Sequence, residues 1–180
     1  MQKLLIVACA VLCLSPAMAQ LPEGALAPKV KTTALNGQPV DLGAWLDANK
    51  IVVVEVMATW CKPCVEELPM LEQLNERYGN KNVKVLLVSL DFKSQLQKRF
   101  LPFLETTRLK SEVVLFADQD ANTWIPRINE EWDGAIPATY IIRDGKREFH
   151  SGRFKDFNEL EAFMTPFLKG LASSSASSRR

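Results

Sequence analysis

Ile51-Val-Val-Val-Glu-Val-Met-Ala-Thr-Trp-Cys61-Lys-Pro-Cys64 is the stretch that decides the fold, because it leads an apolar run directly into a Cys-x-x-Cys pair. Val and Ile are β-branched, and a run of them suits a strand that is buried on both faces, as in the centre of a parallel sheet. After Cys64, apolar residues recur at helical spacing as far as Leu74. The stretch therefore predicts a central parallel strand that passes into a helix, with both cysteines at the helix N-terminus.

The two cysteines suit different steps of disulfide chemistry. Free backbone N–H groups and the positive end of the helix dipole favour the thiolate of Cys61, and Lys62 adds a positive charge beside it. The two-residue spacer brings Cys64 within disulfide distance, while Pro63 fits the first turn of the helix. We therefore predict that Cys61 is an exposed nucleophile and that Cys64 is the thiol that resolves a mixed disulfide.

A structural disulfide and half of a zinc site are the alternatives to a redox pair. A disulfide that closes so short a loop would constrain the unfolded chain little. A zinc site would lack ligands, because His150 is the single histidine and the other two cysteines, Cys9 and Cys13, lie near the N-terminus. We predict a redox disulfide between Cys61 and Cys64, with no metal and no cofactor.

The N-terminal residues 1–19 are typical of a secretory signal peptide. Lys3 precedes an apolar stretch, and the small-residue sequence Ala17-Met-Ala19 would be the cleavage site. A transmembrane anchor is the competing interpretation, but the apolar run is too short to cross a bilayer. Residues 6–9 resemble a lipoprotein cleavage box, so lipidation of Cys9 stays an open alternative. We predict an exported, periplasmic or otherwise extracytoplasmic protein without a stable membrane anchor.

Length and charge limit the remaining possibilities. The chain has 180 residues and is 47% hydrophobic, which is ample for one core and leaves little room for a second domain. Its 22 basic and 21 acidic residues give a formal net charge of +1, which does not favour a nucleic acid or an anionic membrane as partner. We predict one domain over residues 20–171, and a disordered Ser-rich tail over 172–180.

Strands and helices should alternate along the domain, with hairpins near its two ends. Asn36-Gly37 between two β-type runs is a strong hairpin signal, and Asp41 can cap a short helix over 42–48. A second hairpin turn is expected at Asp144-Gly145. The remaining expected elements are a helix from Cys64 to about Tyr78, strands over 82–90 and 112–116, helices over about 94–105 and 121–128, strands over 138–142 and 147–150, and a closing helix over 157–168.

Three motifs in this order resemble the thioredoxin superfamily. They are Trp60-Cys-Lys-Pro-Cys64 after an apolar strand, Pro69 eight residues beyond Cys61, and Ile136-Pro137-Ala-Thr before a strand. Within that superfamily, the predicted signal peptide, the N-terminal hairpin and an insertion between about 91 and 118 are similar to the TlpA/ResA-type extracytoplasmic proteins. The resemblance covers roughly residues 25–168. It implies an α/β thioredoxin-like fold, with a central mixed β-sheet, helices on both faces, an N-terminal β-hairpin and a short central insertion.

The resemblance also implies a substrate site at Ile136 and Pro137. Pro137 corresponds to a cis-proline that lies against the active-site disulfide, and the backbone of Ile136 would then be free to pair with an extended substrate. Without the resemblance, an ordinary trans proline at the start of a strand would be favoured, because the cis form is the minority state.

Two acidic residues are expected close to the cysteines. Glu55 lies in the middle of the Val-rich run, where burial should raise its pKa toward the range useful for proton transfer to Cys64; the alternative is that it faces a wet edge. Glu67, three residues past Cys64, matches a glutamate of ResA-type proteins. As an alternative, Glu66 and Glu67 could simply complement the helix dipole.

The aromatic residues have less specific roles. We expect Trp60 to shield the disulfide and to offer substrates an apolar contact, with core packing as the alternative. Trp124 and Trp132 either border the substrate groove or pack in the core, and core packing is expected of at least one of them. His150, far in sequence from the cysteines, should be a surface residue without a catalytic role.

These features favour an exported thiol-disulfide oxidoreductase that reduces protein or peptide disulfides and is itself recharged by an upstream thiol-disulfide electron donor. We expect a monomer. A DsbA-like oxidant or a disulfide isomerase is the alternative enzyme, although no large helical insertion or dimerisation domain is evident. The motif Trp-Cys-x-Pro-Cys is also unusual for a peroxiredoxin. A different class of function is a binding protein or a cytochrome-maturation partner that uses the groove beside Pro137.

Overall fold

A computed structural model describes residues 32–33, 39–40, 51–116 and 120–169 of the chain. The predicted signal peptide, the Asn36-Gly37 turn, the predicted helix over 42–48 and the predicted tail over 172–180 lie outside the described residues. Of the helices in the described part, none is long and apolar enough to cross a membrane.

One mixed β-sheet forms the centre of the described residues. Its strands lie in the order β2-β1-β5-β4-β3-β6-β7. Strands β3, β4 and β5 are parallel to one another, and the other pairings are antiparallel. The strands are β1 (Thr32–Thr33), β2 (Pro39–Val40), β3 (Ile51–Met57), β4 (Val83–Ser89), β5 (Glu112–Phe116), β6 (Ala138–Arg143) and β7 (Lys146–Ser151).

Helices cover this sheet on both faces, as predicted. The helices are α1 (Lys62–Tyr78), α2 (Leu101–Thr107), α3 (Ala121–Ile128) and α4 (Phe157–Leu168). Helices α1 and α4 contribute buried residues to the core on one face, and α3 contributes to the core on the other. The predicted α/β thioredoxin-like architecture is therefore confirmed.

The central strand β3 is buried along its whole length. Because side chains alternate along a strand, Val53 and Met57 join the core beneath α1, whereas Val54 and Val56 join the core beneath α3. Glu55 falls between Val53 and Met57 in this alternation, on the α1 face. The β-branched run thus fixes the side of the sheet on which the acid lies.

The N-terminal pairing agrees with the predicted hairpin. Thr32 of β1 pairs with Val40 of β2 in antiparallel register, and β1 also pairs with β5. These two short strands extend the sheet beyond β5, while their connection is not among the described residues.

The inserted segment differs from its prediction of one helix over about 94–105. It consists of a 3-10 turn (Lys93–Gln95), a π-helical turn (Leu96–Phe100) and then α2. Pro102, at the start of α2, has no backbone N–H, so it cannot continue an α-helical hydrogen-bond ladder from the preceding turn. The helix ends at Arg108, which adopts a left-handed conformation with φ of 51°. The following strand, β5, has its predicted bounds.

Candidate active site

Cys61 and Cys64 form a disulfide at the point where β3 passes into α1. Their sulfurs are 2.07 Å apart, and their Cα atoms are 5.3 Å apart. Cys61 is the N-cap residue of α1, and its sulfur accepts a hydrogen bond of 3.3 Å from the backbone N–H of Cys64. The cysteines therefore lie at the helix N-terminus, as the sequence predicted. A helix N-terminus stabilises a thiolate at this position.

The exposure of the two cysteines differs less than predicted. Cys61 is 6% exposed and Cys64 is fully buried, so the expectation of an exposed Cys61 is wrong in degree, although Cys61 is the more accessible of the two. The cause is the packing of the disulfide into the core beneath α1. Of the two cysteines, Cys61 is thus the one with surface exposed to solvent.

Ile136 and Pro137 lie against the disulfide. The Ile136-Pro137 peptide bond is cis, and the carbonyl oxygen of Ile136 lies 3.7 Å from the sulfur of Cys61. The carbonyl of Pro137 accepts a hydrogen bond of 2.9 Å from Gly152, which anchors the start of β6. This arrangement agrees with the cis-proline prediction and with the prediction that the loop borders the reacting sulfur.

Glu55 is fully buried opposite Thr139. The two residues are paired in the β3–β6 ladder, and the Thr139 hydroxyl donates a hydrogen bond of 2.7 Å to Oε2 of Glu55. Oε1 has no hydrogen-bond partner among the described residues. Burial raises the pKa of Glu55 well above 4.5, the nearby Glu67 raises it further, and the Thr139 hydrogen bond opposes the shift. The alternative of a wet-edge carboxylate is therefore wrong.

Glu67 is a second buried acid. Its Oε1 accepts a hydrogen bond of 2.9 Å from the backbone N–H of Phe154, while Oε2 has no partner within the described part of the chain. Burial raises the pKa of Glu67 to about 7, against the lowering effects of the Phe154 hydrogen bond and the Arg153 charge. A group with this pKa can exchange a proton near neutral pH.

The neighbouring Glu66 distinguishes Glu67 from an ordinary surface acid. Glu66 is exposed and lies 3.8 Å from both Lys62 and Arg153, as expected of a solvated helix carboxylate. Glu67 points into the protein instead. Because Glu55 and Glu67 interact electrostatically, the site holds two coupled acids on the sheet face that also carries the cysteines.

Asp91 and Thr59 were missed by the sequence reasoning. Asp91, buried just beyond β4, accepts hydrogen bonds from the Thr59 backbone N–H at 2.8 Å, the Thr59 hydroxyl at 2.6 Å and the Ser89 hydroxyl at 2.7 Å. These bonds hold the loop two residues before Cys61. The signal in the sequence was a carboxylate directly after an apolar strand, which burial would make costly unless it has partners.

The three tryptophans singled out in the sequence differ in their burial. Trp60 is 50% exposed, so core packing does not account for it. Trp124 and Trp132 are both buried and pack against each other, with ring centroids 5.6 Å apart, in the core beneath α3. Trp132 also bonds to the loop that precedes Pro137, because its indole N–H donates a hydrogen bond of 2.8 Å to the carbonyl of Ala135.

His150 is a correction to the sequence analysis. It is half-buried rather than a simple surface residue, and its ring stacks on the buried Phe154 at 4.0 Å between centroids. The cause is the β6–β7 register, which sets His150 opposite Thr139. Phe154 and Thr139, which hydrogen-bond the two buried acids, are thus both neighbours of His150.

Comparison with known proteins assigns the family. A model of the AhpC/TSA family matches residues 24–147, which is more than half of the chain. The chain belongs to the AhpC/TSA family. The predicted resemblance to the thioredoxin superfamily and to ResA-type proteins is also confirmed by the relatives of this chain.

Two curated relatives and one solved structure are similar to this AhpC/TSA-family protein. It is 31% identical to the thioredoxin-like protein YneN of Bacillus subtilis, over 68% of this chain and 66% of YneN. It is 30% identical to the thiol-disulfide oxidoreductase ResA of Bacillus cereus, over 68% of this chain and 65% of ResA. The matches thus span just under two thirds of these relatives. The solution structure of a thioredoxin-like protein from Porphyromonas gingivalis superimposes with a TM-score of 0.64 at 26% identity, over 81% of this chain and 93% of that one.

Glu67→Gln should weaken the pH dependence of stability. The pKa of Glu67 is about 7 in the folded protein and 4.5 ordinarily, so the folded state binds this proton more tightly than the unfolded chain does. The resulting stabilisation is complete below the ordinary value of 4.5 and is lost as the pH rises through about 7. The loss amounts to roughly 3 kcal/mol, which a neutral Gln does not incur. Urea unfolding of the oxidised protein across this pH range measures the difference.

Glu66→Gln is the matched control, because Glu66 is the exposed neighbour of Glu67 on α1. Its stability should follow that of the parent at every pH. A Glu67→Gln variant whose stability difference from the parent is the same at low and neutral pH would contradict the assignment.

Proposed function

We propose that this AhpC/TSA-family protein is an exported thiol-disulfide oxidoreductase that reduces protein disulfides. The observation that carries the proposal is the Cys61–Cys64 disulfide at a helix N-terminus, with the carbonyl of Ile136 beside the more accessible sulfur. The name of ResA, a thiol-disulfide oxidoreductase in Bacillus cereus, supports the same chemistry. Export rests on the signal-like composition of residues 1–19.

The reaction begins from the reduced protein. The Cys61 thiolate attacks one sulfur of the substrate disulfide, whose S–S bond breaks, and the other substrate sulfur leaves as a thiolate that takes up a proton. The Cys64 thiolate then attacks the Cys61 sulfur of this mixed disulfide. That step releases the second substrate thiolate and forms the Cys61–Cys64 disulfide. The substrate gains two electrons and the protein loses two, so an external dithiol must reduce the pair before the next cycle.

Glu55 and Glu67 supply the proton chemistry of this cycle. Cys64 is fully buried, so its proton must pass to a group inside the protein before Cys64 can attack. Both acids have raised pKa values because they are buried, which brings them closer to the range in which a carboxylate accepts a proton from a thiol. We assign Glu55 as the proton acceptor, and Glu67 as the group whose charge tunes it.

The local charges favour a reductant. The reduced form of an oxidant is stable because its thiolate is stabilised. Negative charge near the cysteines destabilises the thiolate and therefore favours a reductant. Glu67 becomes negative as the pH rises through about 7. Lys62 has the opposite effect, but its side chain is 87% exposed and lies near Glu66, so solvent screens it.

The reduction potential should lie near that of thioredoxin, roughly −270 mV, rather than near that of DsbA, roughly −120 mV. Equilibration of the pair with glutathione or dithiothreitol buffers measures it. A value close to that of DsbA would indicate an oxidant and contradict the proposed reductant. A pair that does not cycle would indicate a binding protein instead.

Cys64→Ser should trap the substrate. The variant can form the mixed disulfide through Cys61 but has no second thiol to resolve it, so a covalent complex should accumulate that dithiothreitol releases. Cys61→Ser is the matched control and should trap nothing, because the remaining Cys64 is buried. Equal trapping by both variants would overturn the assignment of the nucleophile. Mass spectrometry of the complex from the extracytoplasmic fraction identifies the partner.

Glu55→Gln should slow resolution of the mixed disulfide by about 10- to 100-fold, the scale of a general base, while leaving the fold intact or more stable. The stability gain is expected because a buried ionisable group becomes neutral. Stopped-flow kinetics of single-turnover reduction between pH 6 and 9 measure the slow step. Glu148→Gln, on the exposed side of β7, is the control variant. Unchanged rates of Glu55→Gln over this whole range would reject the relay.

A further inference from the structure

The hydrogen bonds between Thr59 and Asp91 join two loops next to the disulfide. Thr59 lies between β3 and Cys61, and Asp91 follows the neighbouring parallel strand β4. Both Thr59 donors, the backbone N–H and the hydroxyl, bond to the same carboxylate at 2.8 and 2.6 Å. The backbone N–H of Leu90 also donates to the carbonyl of Met57 at 2.8 Å. The two loops are therefore held in one fixed arrangement.

Each of these loops exposes a large hydrophobic residue immediately after the bonded position. Trp60 follows Thr59 and is 50% exposed, and Phe92 follows Asp91 and is 65% exposed. They are the exposed large hydrophobic residues of the described part of the chain. Leaving both in water forgoes the free energy that their burial would give. The other Phe, Tyr and Trp rings of the described residues are buried or pack against the two cores, whereas these two lie on the surface.

The backbone at Phe92 is itself fixed. It is extended, with φ of −68° and ψ of 136°, and its carbonyl accepts a hydrogen bond of 2.8 Å from Gln95 that closes the following 3-10 turn. Asp91 on its other side is buried with three hydrogen-bond donors. An aromatic residue on a rigid backbone loses little conformational freedom when a ligand covers it. Phe92 is thus suited to recognition.

We propose that Phe92 is a substrate-contacting residue, which together with Trp60 receives an apolar side chain next to the target cysteine of a polypeptide substrate. Asp91 is the positioning residue that holds together the two loops that carry these rings. This inference rests on the proposed function, since it names the substrate class that the same site prefers. An extended polypeptide is the occupant because Trp60 adjoins Cys61, whose sulfur lies 3.7 Å from the Ile136 carbonyl, and Phe92 follows Asp91, which is bonded to Thr59.

The test uses two peptide disulfides and a small disulfide as substrates of the full-length reduced protein. The peptides are identical except that the residue beside the cysteine is Leu in one and Ser in the other. Hydroxyethyl disulfide has no such side chain and reports the thiol chemistry alone. The variants are Phe92→Ala, Phe92→Leu and Asp91→Asn. Lys93→Ala is the matched control, because Lys93 is the exposed residue next to Phe92.

Phe92→Ala should raise KM for the Leu peptide by roughly five- to tenfold, while kcat and the rate with hydroxyethyl disulfide stay unchanged. The KM for the Ser peptide should change little. Phe92→Leu should retain most of the preference for the Leu peptide over the Ser peptide, and Lys93→Ala should retain all of it. Asp91→Asn, which keeps the shape but loses at least one accepted hydrogen bond, should lower the preference for the Leu peptide over the Ser peptide.

The outcomes separate the two proposals. If the parent protein reduces hydroxyethyl disulfide but Phe92→Ala treats both peptides as the parent does, the role of Phe92 is wrong and the oxidoreductase stands. If the parent reduces none of the three substrates, the proposed function fails. If Phe92→Ala instead abolishes a concentration-dependent dimer in sedimentation experiments and leaves peptide kinetics unchanged, the aromatic pair is a contact between copies of this chain, and the substrate role is overturned.

Discussion

The burial of Glu55 in the middle of β3 is the constraint on which the rest of the site depends. Removing a carboxylate from water costs several kcal/mol unless hydrogen bonds replace the lost solvation, and Thr139 satisfies only one of the two oxygens of Glu55. The raised pKa of Glu55 lowers this cost, because the protonated acid carries no charge. The acid is held on the α1 face by the alternation of β3, so a shift of one residue would move it to the opposite core. Strand register and proton chemistry are therefore fixed by the same packing.

Glu67, the second buried acid, affects the ionisation of Glu55. Glu55 and Glu67 repel each other when both are ionised, so each makes the ionisation of the other less favourable. Near neutral pH the pair thus avoids carrying two negative charges, and Glu67, with a pKa of about 7, is the member that responds to small changes in pH. Glu67 accepts its hydrogen bond from the backbone of Phe154, and it lies on the same helix as the cysteines, α1.

The sequence was sufficient where the determining interactions are local. The apolar run predicts β3, the helical spacing after Cys64 predicts α1, and the motif at Ile136 and Pro137 predicts the loop beside the disulfide, all of which the structure bears out. Features that depend on packing between residues far apart in the sequence could not be predicted from the sequence. The half-burial of His150 follows from the ring of Phe154 and the β6–β7 register, which composition does not encode. The π-helical turn before α2 likewise was not predicted; it ends at the buried Phe100, and Pro102 follows it.

The buried acids and the exposed aromatic residues lie in different parts of the site. The acids and Cys64 are buried on the sheet face covered by α1, where burial raises the pKa values of both acids. The surface available to a substrate lies at the ends of β3 and β4, where loops rather than strands carry the side chains. Asp91 connects the two regions, because it is buried itself yet bonds to Thr59, two residues before Cys61. Under the proposed function, a change in the exposed loops should therefore alter the substrate preference without disturbing the buried acids, whereas a change in β3 should affect the reactivity toward every substrate.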